Sequence, residues 1–350
     1  MEIYKIKIGN KSMERYVYEV ESKGKISGLK LKKEILNPLK DTEIQIKVHA
    51  IGLNFADLFA IFGIYSATPN GKFIPGLEIS GEITAVGSSV NNWKVGDRVM
   101  AASRFGGYAT YIHTEVDSVF PLPEHWSYEE GAAFIVQALT AYYALKVLGD
   151  CKKDDVVLIH SAAGGVGILA NRIAKRLGAI TIGCVGSESK FTTLDKEGFD
   201  YKIVRTKSFK HDLSKILIND KLDLVLECIG GRIFKDSFEL LSPMGQSLTY
   251  GSANFTPSTS RFNPIPALIH YITRPKIDPL KMISDNKSVM GFNLIWLWNH
   301  INKLRDYFND LWKLSSEPQR IGKVYEWNNI HVALNDFRKG KTIGKVVIKL

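Results

Sequence analysis

The chain has few cysteines and no long apolar run. Its 350 residues include only three cysteines, Cys151, Cys184 and Cys228, which share no close spacing. Such spacing excludes a disulfide framework and a cysteine-rich zinc site, and it is typical of a reducing compartment. The most apolar run, residues 292–298, is far shorter than the ~18 residues of a membrane span. Residues 1–10 lack the apolar centre of a signal peptide, so we expect a cytoplasmic protein without a membrane span.

The chain also lacks a block of like charges. Lysine and arginine number 46 against 36 acidic residues, which gives a net charge of +10, but the lysines are scattered. No basic segment with interleaved aromatic residues suggests single-stranded nucleic acid binding, so we expect no nucleic-acid partner. A content of 45% hydrophobic and 23% charged residues is ordinary for a globular protein, and the length suggests two domains.

The pattern of apolar and polar residues changes about a third of the way along the chain. Residues 14–113 contain short, glycine-punctuated segments of alternating polarity, such as 43–48 and 78–87, which predict a small barrel or irregular β domain. From residue 155, apolar strands alternate with helical patterns, which predicts an α/β domain with a doubly wound parallel sheet. The predicted strands are 156–159, 180–185, 222–226, 246–250 and 288–294; the helices between the first four are 166–177, 188–197, 209–219 and 232–241.

The strongest local signal is a glycine-rich turn between the first apolar strand and the following helix. Glycine allows the backbone to approach a pyrophosphate, and the helix N-terminus offers N–H groups and a positive dipole end. Both flanking elements are of the type that this motif requires. The sequence therefore predicts a dinucleotide site that includes Ala163, Gly164, Gly165, Val166 and Gly167.

The residues after the second strand favour NADPH over NADH. An NAD site usually has an acidic side chain here that binds the ribose 2′-hydroxyl, whereas this chain has Gly186 and Ser187. Lys190 and Arg205 supply positive charge for a 2′-phosphate, although both also suit a solvated surface. Glu188 is an acidic residue in this region and would favour NADH, but a carboxylate also stabilises the first turn of the next helix.

Several segments together resemble the medium-chain dehydrogenase/reductase superfamily and, within it, the zinc-independent quinone oxidoreductase branch. The matching segments are 52–57, 63–65, 75–81, 95–99, 138–142, 161–167 and 340–347, which span nearly the whole chain. Residues 274–279 and 288–294 are most similar to the vesicle amine transport protein homologues. The resemblance implies a Rossmann-type domain at 126–317 and a GroES-like irregular β-barrel catalytic domain formed by 1–125 and 318–350. It also implies a homodimer that pairs sheets through strand 288–294.

The resemblance implies catalytic roles for Asn54 and Tyr65, with Asp57 nearby in sequence, and a cofactor contact for Thr140, which could also be an ordinary helix-surface residue. Ser252 is a further predicted cofactor contact, because it follows the predicted strand 246–250 and ligands collect at the carboxyl ends of such strands. Zinc-dependent members carry metal ligands at the positions of Asn54 and Leu77 and have a four-cysteine structural lobe. Neither side chain binds zinc and the lobe is absent, so we expect no metal. Polarisation of the substrate carbonyl then falls to hydrogen bonds from Asn54 and Tyr65. The alternative is that Asn54 only shapes a turn and that Tyr65 only packs against Phe62.

The sequence therefore predicts an NADPH-dependent, zinc-independent reductase of quinones or α,β-unsaturated carbonyls. One alternative is an enoyl-thioester reductase. The other is a nucleotide-binding protein with weak or no catalysis that acts at a membrane surface or on a protein partner. Aromatic residues within 292–298 and the basic balance motivate that alternative through peripheral membrane contact.

Overall fold

The first third of the chain forms short strands, in a computed structural model that describes residues 13–217, 219 and 221–350. Residues 1–10, where we saw no signal-peptide pattern, lie outside the described residues. The elements are β1 (Glu14–Val20), β2 (Leu29–Ile35), β3 (Glu43–Gly52), α1 (Phe55–Phe62), β4 (Glu78–Val86), β5 (Arg98–Ala102), β6 (Tyr111–Glu115) and β7 (Val119–Pro121). Strands β1 and β2 form an antiparallel pair of their own.

The remainder alternates helices with strands. Its elements are α2 (Tyr128–Gly131), α3 (Ile135–Tyr142), β8 (Val156–His160), α4 (Gly165–Arg176), β9 (Ile180–Val185), α5 (Phe191–Lys196), β10 (Tyr201–Val204), α6 (Phe209–Ile216), β11 (Leu224–Glu227), α7 (Gly231–Glu239), β12 (Gln246–Thr249), α8 (Pro264–Ile272), α9 (Pro279–Asp285), β13 (Ser288–Gly291), α10 (Leu294–Leu297), α11 (Ile301–Leu314), β14 (Ile321–Glu326), α12 (Ile330–Arg338) and β15 (Lys345–Lys349).

Six parallel strands form the sheet of the α/β half, in the order β10-β9-β8-β11-β12-β13. The order reverses between β8 and β11, and ligands of such sheets bind at this switch point, outside the carboxyl ends of the strands. Strand β8 is buried along its whole length because helices cover both faces of the sheet. The predicted α/β fold with a doubly wound parallel sheet is confirmed.

The second large sheet joins the two ends of the chain. Its order is β14-β15-β3-β4-β5-β7, and β6 also pairs with β3. Strand β15 runs antiparallel to β3, so the last strands complete the irregular β domain that the first strands begin. The domain bounds 1–125, 126–317 and 318–350 remain a prediction.

Two local predictions need correction. Residues 254–285 are rich in proline, and their weak periodicity predicts only one short helix, near 267–272. The structure has two helices there, α8 and α9. Asp278 accepts a hydrogen bond from Leu280 N–H and so caps α9, with Pro279 in the first turn, which is a favourable helix start. The strand expected at 288–294 ends at Gly291, since α10 begins at Leu294.

One apolar helical stretch of the structure was not predicted as such from the sequence. Tyr128–Leu148 has 21 residues and the length and composition of a membrane span, although charged residues at both ends interrupt its apolar run. Of its most apolar window, 72% is buried inside the protein. Ala138, Leu139 and Leu145 belong to the main hydrophobic cluster of the α/β half, so this stretch packs as a core helix.

Candidate active site

The glycine-rich turn lies at the carboxyl end of β8, where the fold places a ligand. Ser161 adopts a left-handed conformation with φ of 52°, which turns the chain from β8 towards α4. A Cβ atom on Gly167 would lie 2.5 Å from the Ser161 carbonyl oxygen and 2.6 Å from Ala162 Cα, so only glycine permits this strand–helix contact. The N-terminus of α4, which is the positive end of the helix dipole, therefore lies at the carboxyl end of β8, as anion binding there requires.

The C-terminal segment returns to this turn. Gly344 N–H donates to the Ala163 carbonyl over 2.7 Å. Gln319 Nε2 donates to the Gly165 carbonyl over 2.6 Å. Strand β15 begins at Lys345, directly after Gly344, so the β domain is tied to the predicted phosphate-binding turn.

The residues predicted to bind the 2′-phosphate of the cofactor lie together beyond the carboxyl ends of β9 and β10. Arg205 Nη2 is 3.3 Å from the point where a Cβ on Gly186 would sit, and the buried Nη1 of Arg205 has no hydrogen-bond partner. Lys190 Nζ donates to the carbonyls of Gly340 and Thr342 over 2.9 and 3.0 Å. Burial, followed by the nearby Arg205, lowers the pKa of Lys190.

The other two residues of this region are exposed. Ser187 Oγ accepts a hydrogen bond from Ser189 N–H and so caps the next turn. Glu188 points away from the core and is exposed. An orphaned guanidinium N–H, a second cation and a glycine that leaves space match the groups that bind a phosphate monoester. The residues present thus fit the 2′-phosphate of NADPH.

Asn54 is the centre of a buried polar network and is 6% exposed. Its Nδ2 donates to the Gly52 carbonyl over 3.1 Å and to Glu78 Oε1 over 3.0 Å. Its Oδ1 accepts from Gln137 Nε2 over 2.6 Å and from Lys345 Nζ over 3.1 Å. Glu78 also forms an ion pair with Lys345, so the network contains one carboxylate and one ammonium group.

Asp57 lies beside this network and is wholly buried. Its carboxylate accepts from Asn54 N–H over 2.8 Å, from Gly76 N–H over 3.2 Å and from Tyr108 Oη over 3.2 Å. Burial raises the pKa of Asp57 to about 7, and the two backbone donors and Lys345 only partly offset that effect. Because Asp57 is wholly buried, the structure gives it contacts that hold the turn rather than a surface that a substrate can reach.

Tyr65 connects the two halves of the protein. Its hydroxyl donates to Asn293 Oδ1 over 2.8 Å, and Asn293 follows β13 at the carboxyl edge of the parallel sheet. Burial raises the pKa of Tyr65 to about 12. The Tyr65 hydroxyl therefore lies at the cleft between the two halves and keeps its proton at neutral pH.

The remaining predicted cofactor contacts bond locally. Thr140 Oγ1 donates to the Val136 carbonyl one turn earlier over 2.6 Å, and the residue is 7% exposed. Ser252 Oγ donates to Asn254 Oδ1 over 3.0 Å, just beyond β12. Ser252 thus lies at the ligand-binding edge of the sheet, whereas Thr140 is on the buried face of α3.

A cavity of about 460 Å³ opens between the two halves. Arg338, Lys339 and Lys341 line one side, and Phe55 and Thr256 are also in its wall. Within residues 13–217, 219 and 221–350, no group of three or more His, Cys, Asp or Glu side chains is arranged to hold a metal ion. Leu77, at the position of a zinc ligand in the zinc-dependent branch, is 6% exposed and lies in the core.

Five polar residues of this region were not predicted from the sequence: Glu78, Tyr108, Gln137, Asn293 and Lys345. Glu78 and Lys345 lie inside segments that carried the resemblance, so a buried charge within an apolar strand was an available signal. Gln137 precedes Thr140 by one helical turn. No local pattern marked Asn293 or Tyr108, because their contacts come from distant parts of the chain.

Two family profiles match the chain. The alcohol dehydrogenase GroES-like domain matches residues 40–124, and the zinc-binding dehydrogenase profile matches residues 165–294. The synaptic vesicle membrane protein VAT-1 homolog of Danio rerio is 33% identical over 314 residues, which cover 89% of this chain and 64% of that protein. The homolog of Rattus norvegicus is 31% identical over 310 residues, 87% of this chain and 76% of that protein. This chain thus spans less than two thirds of the Danio rerio protein.

Three solved structures have the same fold. Human VAT-1 homolog-like protein superimposes with a TM-score of 0.82 and 25% identity over 97% of this chain and 99% of its own. Escherichia coli quinone oxidoreductase, complexed with NADPH, gives 0.81 and 25% over 97% and 100%. CurK enoyl reductase gives 0.80 and 27% over 96% and 99%. With the fold and the glycine-rich turn described above, these similarities identify the chain as a member of the medium-chain dehydrogenase/reductase superfamily, with VAT-1 homologues among its relatives.

Proposed function

We propose that this protein is an NADPH-dependent, zinc-independent reductase of quinones or α,β-unsaturated carbonyl compounds. The observation that carries the proposal is the pairing of the glycine-rich turn with Arg205, whose buried Nη1 lacks a partner beside Gly186. Such an arrangement supports a nicotinamide dinucleotide that bears a 2′-phosphate. The NADPH complex of the related Escherichia coli quinone oxidoreductase also supports this choice of cofactor.

In this proposal the cofactor supplies a hydride, and the protein positions the substrate and stabilises the negative charge that develops on its carbonyl oxygen. The residues around Asn54 contain no set of metal ligands, so hydrogen-bond donors take the place of a Lewis acid. Asn54, Tyr65 and Asp57 remain proposed residues of the catalytic site, and Thr140 and Ser252 remain proposed cofactor contacts. Asn54 and Asp57 act in it chiefly through the buried network that shapes the wall of the cleft.

An enoyl-thioester substrate is the second candidate within the same reaction class. Arg338, Lys339 and Lys341 line the cavity between the two halves and suit a phosphate-bearing substrate arm. The similarity to CurK enoyl reductase favours this variant. A binding role with weak catalysis at a membrane or on a partner remains the alternative from a different class, and the names of the VAT-1 relatives support it.

We also propose a homodimer as the working form. Strand β13 is an edge of the parallel sheet and pairs only with β12 among the described strands. Helix α8, which precedes β13 in the chain, also exposes apolar side chains, at positions 265, 268, 269 and 272. An open sheet edge and a helix with an exposed apolar face are each suited to association with a second copy. A cytoplasmic location is part of the proposal.

The test is a titration with NADPH and with NADH, followed by nicotinamide fluorescence. A panel of quinones, enones and an enoyl thioester is then added to the same sample. Tight NADPH binding with oxidation supports the reductase, and dependence on the thioester selects the second candidate. Absence of both binding and oxidation would refute the proposal. NADPH binding without turnover, together with flotation on anionic liposomes, would favour the binding role.

A further inference from the structure

Asn54 and Tyr65, the two side chains expected to polarise a substrate carbonyl, already donate hydrogen bonds to other groups of the protein. A tyrosine hydroxyl has one proton and an amide nitrogen has two. Tyr65 donates to Asn293 Oδ1 over 2.8 Å. Asn54 donates to the Gly52 carbonyl over 3.1 Å and to Glu78 over 3.0 Å. Neither side chain therefore has a free proton for a substrate oxygen in this arrangement.

Asn293 is placed differently. It directly precedes α10, where an asparagine side chain usually accepts hydrogen bonds from the first N–H groups of the helix. Its side chain makes no such bond, and Oδ1 accepts from Tyr65 instead. Within the described residues no acceptor bonds its Nδ2, and the residue is half-buried. Asn293 thus has two N–H groups without a protein acceptor at the cleft between the halves.

The surroundings of Asn293 suit a hydrogen bond to a developing oxyanion. Asn293 follows the carboxyl end of β13, at the edge where parallel sheets bind ligands. The preceding Phe292 packs against Tyr143 at 5.1 Å and Tyr250 at 6.0 Å between ring centroids. These contacts fix the backbone that carries Asn293, and a donor held in place in this way is suited to stabilise a developing oxyanion.

We propose that Asn293 Nδ2 is the donor that binds the substrate carbonyl oxygen, and that Tyr65 is a positioning residue for Asn293. The inference rests on the proposed reductase function. By donating to Oδ1, Tyr65 fixes which end of the amide faces the cleft. Burial keeps the pKa of Tyr65 at about 12, so its hydroxyl holds this proton at working pH. During the reaction the hydride adds to the substrate, a proton from water completes the reduction, and Asn293 transfers no atom.

Three variants separate this assignment from the alternative in which Tyr65 itself donates to the substrate oxygen. Asn293→Asp keeps an oxygen that accepts from Tyr65 but removes the N–H groups and places a negative charge near the developing oxyanion. We expect kcat to fall at least about 100-fold, the usual cost of losing one oxyanion donor. Tyr65→Phe leaves Nδ2 in place and removes only its orientation, so we expect a smaller loss, about three- to tenfold. Asn309→Asp, on the exposed side of α11, is the charge-matched control and should match the wild type.

A second readout does not depend on turnover. The carbonyl stretch of 2-cyclohexen-1-one, bound with NADP⁺, is measured by infrared difference spectroscopy. We expect a shift to lower frequency in the wild type and in Asn309→Asp, and its loss in Asn293→Asp. If the carbonyl stretch in Asn293→Asp has the same frequency as in the wild type, the assignment is wrong. A larger loss of kcat in Tyr65→Phe than in Asn293→Asp also overturns it. A wild type that neither binds nor oxidises NADPH refutes the proposed function instead, so the two failures are distinguishable.

Discussion

Glu78 and Lys345 form an ion pair in which the side chains are 1% and 3% exposed. The pair joins β4, near the start of the chain, to β15 at its end. Asn54 bonds to both members, and Glu78 Oε2 also accepts from Val136 N–H over 3.1 Å. Burial lowers the pKa of Lys345, while Glu78 opposes this effect. The ion pair therefore holds the strands, the predicted catalytic turn and α3 in one arrangement.

Removal of one member should cost much more than removal of both. Lys345→Met leaves the Glu78 carboxylate buried without its cation, and we expect the free energy of unfolding to fall by about 3–5 kcal/mol. The double variant Glu78→Gln/Lys345→Met has no buried charge, so we expect it to recover a large part of that loss. Urea denaturation of the two single variants and the double variant gives the coupling. Strictly additive effects would show that the pair acts as two independent contacts.

Asp57 should make stability depend on pH. Burial raises its folded pKa to about 7, from an ordinary value of 3.8. The folded state then holds a proton that the unfolded state releases, so this group lowers the free energy of unfolding as pH rises from about 4 to 7. The effect is of the order of 1 kcal/mol per pH unit within that window. Asp57→Asn removes it, so the penalty of the substitution should shrink as pH rises. A constant difference between the two proteins across pH 4–7 would contradict the raised pKa.

The parallel sheet was predictable because its signal is local. Residues 156–159 are all apolar, as a strand covered on both faces requires, and the glycine-rich turn follows at once. Helix α9 was not predicted although Asp278 and Pro279 form a recognisable helix start. The many prolines around it are also typical of turns, so the composition favoured an irregular segment. The predicted strand 288–294 is longer than the observed strand, which ends at Gly291, because the apolar pattern continues into α10.

The site was only partly predictable because its contacts are distant in sequence. Lys345 and Glu78 are 267 positions apart, and Tyr65 and Asn293 are 228 apart. A single sequence contains no signal for such pairs. Asn54 was found through the resemblance, but its hydrogen-bond partners depend on where Gln137 and Lys345 fold. Whether a donor is free for a substrate is a property of those partners and not of the residue type.

Arg205 should determine the preference for NADPH. Its unpartnered Nη1 lies beside Gly186, so Arg205→Leu removes one cation from the proposed 2′-phosphate site. We expect the Kd for NADPH to rise about 10- to 100-fold, in line with the loss of a charge-assisted hydrogen bond, and the Kd for NADH to change little. Lys207→Leu, at an exposed neighbouring position, is the control and should leave both values near those of the wild type. Equal weakening of the two cofactors would assign Arg205 to the fold rather than to the phosphate.

The exposed face of α8 should control association. Ile265, Leu268, Ile269 and Ile272 recur at helical spacing, and each is at least 55% exposed. Ile269→Glu places a charge in the centre of this stripe, so we expect the proposed dimer to dissociate at least tenfold more readily because burial of an unpaired carboxylate is costly. Val95→Glu is the control, because Val95 is 61% exposed in the β domain, away from β13. Sedimentation velocity over a range of concentrations measures the change. If Ile269→Glu and the wild type sediment alike as dimers, the α8 stripe lies outside the subunit interface, and pairing through the β13 edge alone would have to account for the dimer.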